Sequence, residues 1–331
     1  FNGNINFSFK VLLTGDVVKY FILLIMIFFS TSTLALECHK DSISGSTSEL
    51  VNIGSVKIPN DVPDGTIVWR SEVLTNNFVC WSTTSKTDEY VYIYTYPEVS
   101  GSAAMPEGVA FGIIYDGVDL GTNSDKTQTS LYFTKSEKGS KYAKTLTMSY
   151  QIYIKKTANL SSSIVFDTDE IAVFQLDGVG GINNNAGLNY RYTLTGLTNF
   201  VALECSANIP EVTDVDFGEL KPWNSTGSVI TRKDFSLAVS RTCDAPFSLD
   251  ALFTPTGTVV NNDSVDLGNG ALLKIYDPDT GNYLVFNDLT DFVDLTTSKS
   301  QTKTYQAVLV SNGEAKTGEF ESDIIFTVNY K

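Results

Sequence analysis

Histidine is almost missing from this chain: His39 is the single one in 331 residues. No His pair can hold a metal, and any Ser-His-Asp arrangement would have to use this one residue. Cysteine is scarce too. There are four, and no C-x-x-C occurs, so zinc ribbons and thioredoxin-like redox sites are poor readings. Basic residues are outnumbered, 23 Lys+Arg against 38 Asp+Glu, for a net charge of −15. A nucleic-acid backbone would be repelled by that balance, so no nucleic-acid partner is expected. Long apolar runs are also lacking. The strongest, Tyr20–Phe29, has ten residues, and a bilayer span needs roughly 20. No membrane insertion is expected, and neither is an enzyme, a cofactor or a metal.

What the chain does have is apolar content, 42% against 18% charged residues. That suffices for packed cores, and the length suits two domains of about 100–200 residues each. The Tyr20–Phe29 run follows Lys19 and leads into Ser-Thr-Ser-Thr-Leu-Ala35, with Thr33 and Ala35 placed as at a signal-peptidase site. Residues 1–35 therefore read as upstream sequence and a signal peptide, removed after Ala35. Their loss takes Lys10, Lys19 and Asp16, leaving a net charge of −16.

An exported chain meets an oxidising compartment, where an even cysteine count suggests disulfides. Four cysteines allow three pairings. The interval between Cys80 and Cys205 is far wider than either flanking interval. Pairing Cys38 with Cys80 and Cys205 with Cys243 gives each half its own staple. On the chain-entropy account each closure is worth roughly 4 kcal/mol. The boundary falls near 200–204, in the short apolar segment Leu197–Glu204, which predicts a tight joint.

Strand signals fill the rest. Val91–Tyr96, Ser149–Ile154, Ile171–Leu176 and Leu188–Leu194 are rich in β-branched and aromatic residues. Gly/Asn/Asp clusters separate them, as at Asp116-Gly117 and Gly180–Gly187. No long window after the signal keeps a 3.6-residue period. The chain therefore reads as all-β, two antiparallel β-sandwich domains.

Several polar clusters have bland readings. Asp277-Pro-Asp-Thr-Gly281 has its Gly one position early for a calcium loop and lacks the later Glu, so it reads as a β-turn. Asp167-Thr-Asp-Glu170 reads as a solvated turn, and Trp69 and Trp81 as core, with Trp81 packed on the first disulfide. Tyr115, Asp116, Asn183, Asn184 and Asn185 are loop residues of the kind that grip sugars, although turns of that composition are commoner than binding sites.

The C-terminus is the most informative segment. Gly318, Phe320, Ser322, Ile324, Phe326, Val328 and Tyr330 alternate with Glu319, Glu321, Asp323, Ile325, Thr327, Asn329 and Lys331. Near-strict alternation predicts a half-buried strand running to the chain end. Five other strands are expected after Cys205: Val212–Phe217, Val229–Val239, Ser248–Phe253, Leu272–Tyr276 and Tyr283–Phe286. About seven make an immunoglobulin-type sandwich. A sandwich short of its last strand leaves an apolar groove and an unpaired edge, so a strand must come from elsewhere.

Residues 205–331 resemble the pilin domain of chaperone–usher fimbrial subunits. The likeness rests on the Cys205/Cys243 spacing, Val215-Asp-Phe-Gly218 between them, the strand Phe235-Ser-Leu-Ala-Val239, and Gly318 with the penultimate Tyr330. The resemblance implies an incomplete immunoglobulin-like fold lacking its last strand. It implies that a periplasmic chaperone lends a strand and that the next fimbrial subunit replaces it after passage to an outer-membrane usher. It makes Gly318, Phe320, Ile324, Phe326, Val328 and Tyr330 the assembly interface. With Cys38 three residues into the mature chain and about 170 residues ahead of the pilin domain, a subunit that accepts a strand but donates none is expected. That resembles a two-domain fimbrial tip adhesin at the bacterial surface. Ile58–Trp69 and Phe174–Ile182 are similar to adhesins of type 3 fimbriae. The expected division is 36–200 for receptor binding and 205–331 for assembly. The expected receptor is a host glycan, with an extracellular-matrix protein or no receptor at all as the alternatives.

Overall fold

The computed structural model describes residues 36–83, 87–97, 107–122, 126–160, 168–185, 187–210 and 214–331. The signal segment, Asp167 and part of the expected strand Val212–Phe217 lie outside the described residues. Among those described there is no α-helix, only two three-residue 3-10 turns.

Residues 36–200 build one core between two sheets. The first sheet runs in the order Leu36–Lys40, Leu74–Ser82, Lys144–Lys156, Val109–Tyr115 and Val118–Asp119, with Ile67–Arg70 also on Lys144–Lys156. The second runs Ser48–Asn52, Arg191–Thr195, Glu170–Asp177, Glu89–Thr95 and Lys126–Phe133. Alternation decides which face is buried. In Glu89–Thr95, Val91 and Ile93 are fully buried while Tyr90 and Tyr92 are only half-buried. Phe78, Phe111, Met148, Ile152, Phe174 and Leu194 fill the space between the sheets. Two pairings are parallel, Arg191–Thr195 on Ser48–Asn52 and Phe200–Leu203 on Val56–Pro59, where antiparallel sheets alone were expected.

A second core gathers Leu203, Leu237, Val239, Phe247, Phe253, Ile275, Tyr305 and Tyr330. Its larger sheet runs Ala207–Asn208, Thr226–Arg241, Ser300–Asn312, Ala271–Asp277, Ser264–Asp266 and Val259–Val260. Facing it is the sheet Leu289–Asp294, Ser248–Pro255 and Ile324–Tyr330. The expected strand Tyr283–Phe286 is reduced to Asn282–Tyr283, and Asp214–Phe217 is not strand. The central strand Ser300–Asn312 carries no expectation from sequence.

The disulfides are Cys38–Cys80 and Cys205–Cys243, closing 42 and 38 residues, the pairing that the spacing favours. Trp81 is buried as expected, 7% exposed, but on the face away from the disulfide side of its strand. Cys80 faces the core, so its strand neighbour faces the other side, where the Trp81 ring meets His39 edge-on at 4.8 Å. The Asp277–Gly281 segment is a turn, with Gly281 at φ 74 donating its N–H to the Asp277 carbonyl at 2.9 Å. Lys303 takes both of its carboxylates, Asp277 at 3.0 Å and Asp279 at 2.6 Å.

The joint between the halves is tight. Phe200 packs into the first core and Leu203, three residues on, into the second. Across it, the Val73 N–H donates to the Asn287 carbonyl at 3.2 Å, Lys57 donates to the Pro246 carbonyl at 3.1 Å, and the Ser206 N–H donates to Asp61 at 2.7 Å.

Candidate functional site

The last strand is Ile324–Tyr330, six residues shorter at its start than the alternation from Gly318 suggests. Ile324 pairs with Pro255, the end of Ser248–Pro255, and one further ladder bond follows, from the Thr256 N–H to the Asp323 carbonyl at 2.9 Å. Gly318 keeps a φ of 141, and Phe320 lies half-buried ahead of the strand. Within the strand, Ile324, Phe326, Val328 and Tyr330 pack on the second core, while Ile325 points away, 54% exposed. Tyr330 closes the far end. It packs edge-on against Phe247 at 5.3 Å, and its hydroxyl accepts the Ala207 N–H at 2.9 Å. Burial pushes the Tyr330 hydroxyl pKa up.

Ile324–Tyr330 has a strand partner on one edge only, among the described residues. In the facing sheet, Ala207–Asn208 covers only the Ser240–Arg241 end of Thr226–Arg241. Between these two open edges lies a groove of about 670 Å³. Phe235 and Leu237 form one wall, Ile324 and Phe326 the other, and Phe253 and Ile275 contribute to its floor. A second hollow of about 760 Å³ shares Val215, Asp216, Phe217 and Phe320 with it and continues past Trp223 to Gly318. The result is a largely apolar trough flanked by strand edges that have no ladder partner among the described residues. Physically it offers a ladder for an extended chain and a cleft for its alternate side chains. Of the expected assembly residues, Phe320, Ile324 and Phe326 line the main groove, Gly318 lines its extension, and Val328 and Tyr330 belong to the core behind it. The alternation Phe235-Ser-Leu-Ala-Val239 was the available signal for the opposite wall.

The receptor candidates in the first half are not brought together. Tyr115 and Asp116 sit at the turn between Val109–Tyr115 and Val118–Asp119, in the first sheet. Asp116, at φ 46, exchanges backbone and side-chain bonds with Ser149 at 2.7 and 3.0 Å. Burial, with Asp116 beside it, pushes Tyr115 up to about 12. Asn183, Asn184 and Asn185 follow the strand Glu170–Asp177 of the second sheet. Asn183 is buried, its N–H held by Asp177 and its carbonyl by Gln175 Nε2 at 2.9 Å, while its side chain accepts the Asn185 N–H at 3.0 Å. Asp116 and Asn183 are thus turn-forming groups, while Asn184 and Asn185 on the Asn183 loop are exposed, as is Val179.

No family model matches the chain. Among solved structures, it is similar to the CupB6 tip adhesin from Pseudomonas aeruginosa, at 16% identity over 89% of this chain and 94% of that one, TM-score 0.31. It is similar to the P pilus rod subunit PapA, at 19% identity over 38% of this chain and 99% of that one, TM-score 0.30. A third likeness is to the CsuC–CsuE chaperone–tip adhesion subunit pre-assembly complex of Acinetobacter baumannii, at 12% identity over 86% of this chain and 99% of that one, TM-score 0.27. At these identities and TM-scores the likeness carries no functional argument.

Proposed function

We propose that this protein is a fimbrial tip adhesin of the chaperone–usher pathway. Residues 205–331 accept a complementing strand, first from a periplasmic chaperone and, after delivery to the outer-membrane usher, from the next subunit. Residues 36–200 bind a host receptor, with a glycan as the favoured ligand. The observation that carries the assembly reading is the apolar trough between the open edges of Ile324–Tyr330 and Thr226–Arg241. An exposed apolar trough beside an open strand edge is costly in water and invites aggregation. A donated strand removes both costs at once, hydrogen-bonding along the edge and filling the cleft with every second side chain.

Co-expression with the cognate chaperone, scored by copurification, tests this. Deleting residues 319–331 removes the edge and is expected to abolish copurification and fimbrial display. A truncated chain that still copurifies sinks the assembly reading. Binding of the donor-complemented chain to oligosaccharides and to immobilised matrix proteins tests the receptor part. Sugar binding supports it, matrix binding alone moves the receptor to a protein, and silence on both leaves a structural tip subunit.

A further inference from the structure

The outward face of the second sheet is unusually aromatic. Glu89–Thr95 spends Val91 and Ile93 on the core and turns Tyr90, Tyr92 and Tyr94 the other way. The adjacent edge strand Lys126–Phe133 buries Thr129, Leu131 and Phe133 and presents Lys126, Gln128 and Tyr132 on the same face. Register sets Tyr90 opposite Tyr132, Tyr92 opposite Gln128 and Tyr94 opposite Lys126. The Tyr90 and Tyr132 rings lie 4.7 Å apart. The Tyr92 hydroxyl donates to Gln128 Oε1 at 3.2 Å. The Tyr94 hydroxyl donates to the Gly178 carbonyl at 2.6 Å, which ties this face to the loop bearing Asn184 and Asn185. Tyr90, Tyr92 and Tyr132 are half-buried, so each leaves ring area in water.

We propose that this tyrosine face is the glycan site, and that it takes an uncharged oligosaccharide. The inference rests on the glycan reading given above. A sugar ring has an apolar C–H face and a rim of hydroxyls. Tyr90 and Tyr132 match the first with ring area, and Gln128 with the tyrosine hydroxyls matches the second with neutral donors and acceptors. Cross-strand pairing accounts for one Tyr–Tyr contact. It does not account for three half-exposed rings on one face. The charges beside the rings are engaged: Lys126 Nζ lies 5.1 Å from the Tyr92 ring centre, and Asp88 accepts the Lys135 N–H at 2.8 Å and bonds the Tyr132 hydroxyl, raising its pKa. Residues 36–200 hold 18 Asp+Glu against 12 Lys+Arg, a net charge of −6 that disfavours sialylated or sulfated sugars.

The test uses the full chain, complemented by a donor strand, on galactose-, glucose-, mannose- and N-acetylglucosamine-terminated oligosaccharides with sialylated and sulfated counterparts. A neutral sugar is expected to bind, and Tyr90→Ala and Tyr132→Ala to weaken it about tenfold or more, as ring anchors do. Tyr90→Phe, which keeps the ring, is expected to hold most of the affinity. Gln128→Ala, on an exposed side chain, reads the same face should an alanine variant at tyrosine fail to fold, and is expected to weaken binding measurably. Undiminished binding in folded Tyr90→Ala, Tyr132→Ala or Gln128→Ala variants overturns this site and leaves the glycan reading standing. Binding confined to sialylated or sulfated sugars overturns the ligand class. No sugar binding at all overturns the site and the glycan reading together.

Discussion

Asn329 holds Arg70 by both of its backbone groups. The Arg70 N–H donates to Asn329 Oδ1 at 2.9 Å, and Asn329 Nδ2 donates to the Arg70 carbonyl at 2.7 Å. A side-chain amide thus stands in for a strand partner, and Asn329 is only 2% exposed. Arg70 reaches onward, donating to Gln151 at 3.1 Å with its guanidinium over the Tyr153 ring. The strand that bounds the trough therefore also grips the first half of the chain.

Asn329→Ala leaves two backbone groups without their partner. Each unsatisfied buried group costs roughly 1–3 kcal/mol, so urea denaturation of the variant is expected to show a clear loss of stability. An unchanged midpoint would mean that water replaces the amide at no cost and that this contact does not hold the joint.

Tyr330 separates packing from hydrogen bonding. Tyr330→Phe removes only the acceptor of the Ala207 N–H, a loss of about 0.5–1.5 kcal/mol. Tyr330→Ala also opens a cavity against Phe247, which costs about 3–5 kcal/mol. Thermal melting should rank the two in that order. Chaperone copurification should survive Phe and fail with Ala.

Glu89 sets a pH dependence. It is 4% exposed, and its Oε1 accepts the Val179 N–H at 3.0 Å while Oε2 has no hydrogen-bond partner among the described residues. Burial, reinforced by the charge of Asp177, holds its pKa above the ordinary value against the Val179 bond. Asp177 is raised as well, by burial. A raised carboxyl binds its proton more tightly folded than unfolded. The contribution of this pair to stability therefore falls as pH rises from about 4, the ordinary carboxyl range, and levels off above the folded pKa values. Glu89→Gln keeps an acceptor for Val179 without the charge. Its melting temperature should exceed that of the unaltered chain at neutral pH, by a margin that shrinks toward pH 4. Identical pH profiles would contradict this.

The sequence makes the all-β class, the cysteine pairing and the core face of Ile324–Tyr330 legible, because alternation and spacing are local signals. Ser300–Asn312 is hidden for a physical reason. Its first half is polar, and a core-side position is taken by Lys303, 7% exposed, whose charge is met by Asp277 and Asp279 from a distant turn. Only the fold reveals that partner. Asn183 and Asp116 read as sugar-gripping loop residues because the residue types that close turns also bind hydroxyls. The tyrosine face was visible as alternation in Tyr90–Tyr94, but its completion by Tyr132 and Gln128 depends on strand register.

The central claim is that the trough is an empty strand site. A peptide of alternating apolar residues, fused through a flexible linker after Lys331, tests it directly by thermal melting. Each large apolar side chain buried is worth about 1.5–3 kcal/mol, and each kcal/mol shifts the midpoint by a few degrees. A filled trough should thus melt roughly 10 °C or more above the unfused chain, and a peptide with its apolar positions changed to Ser should not. Equal melting of the three proteins would contradict the account.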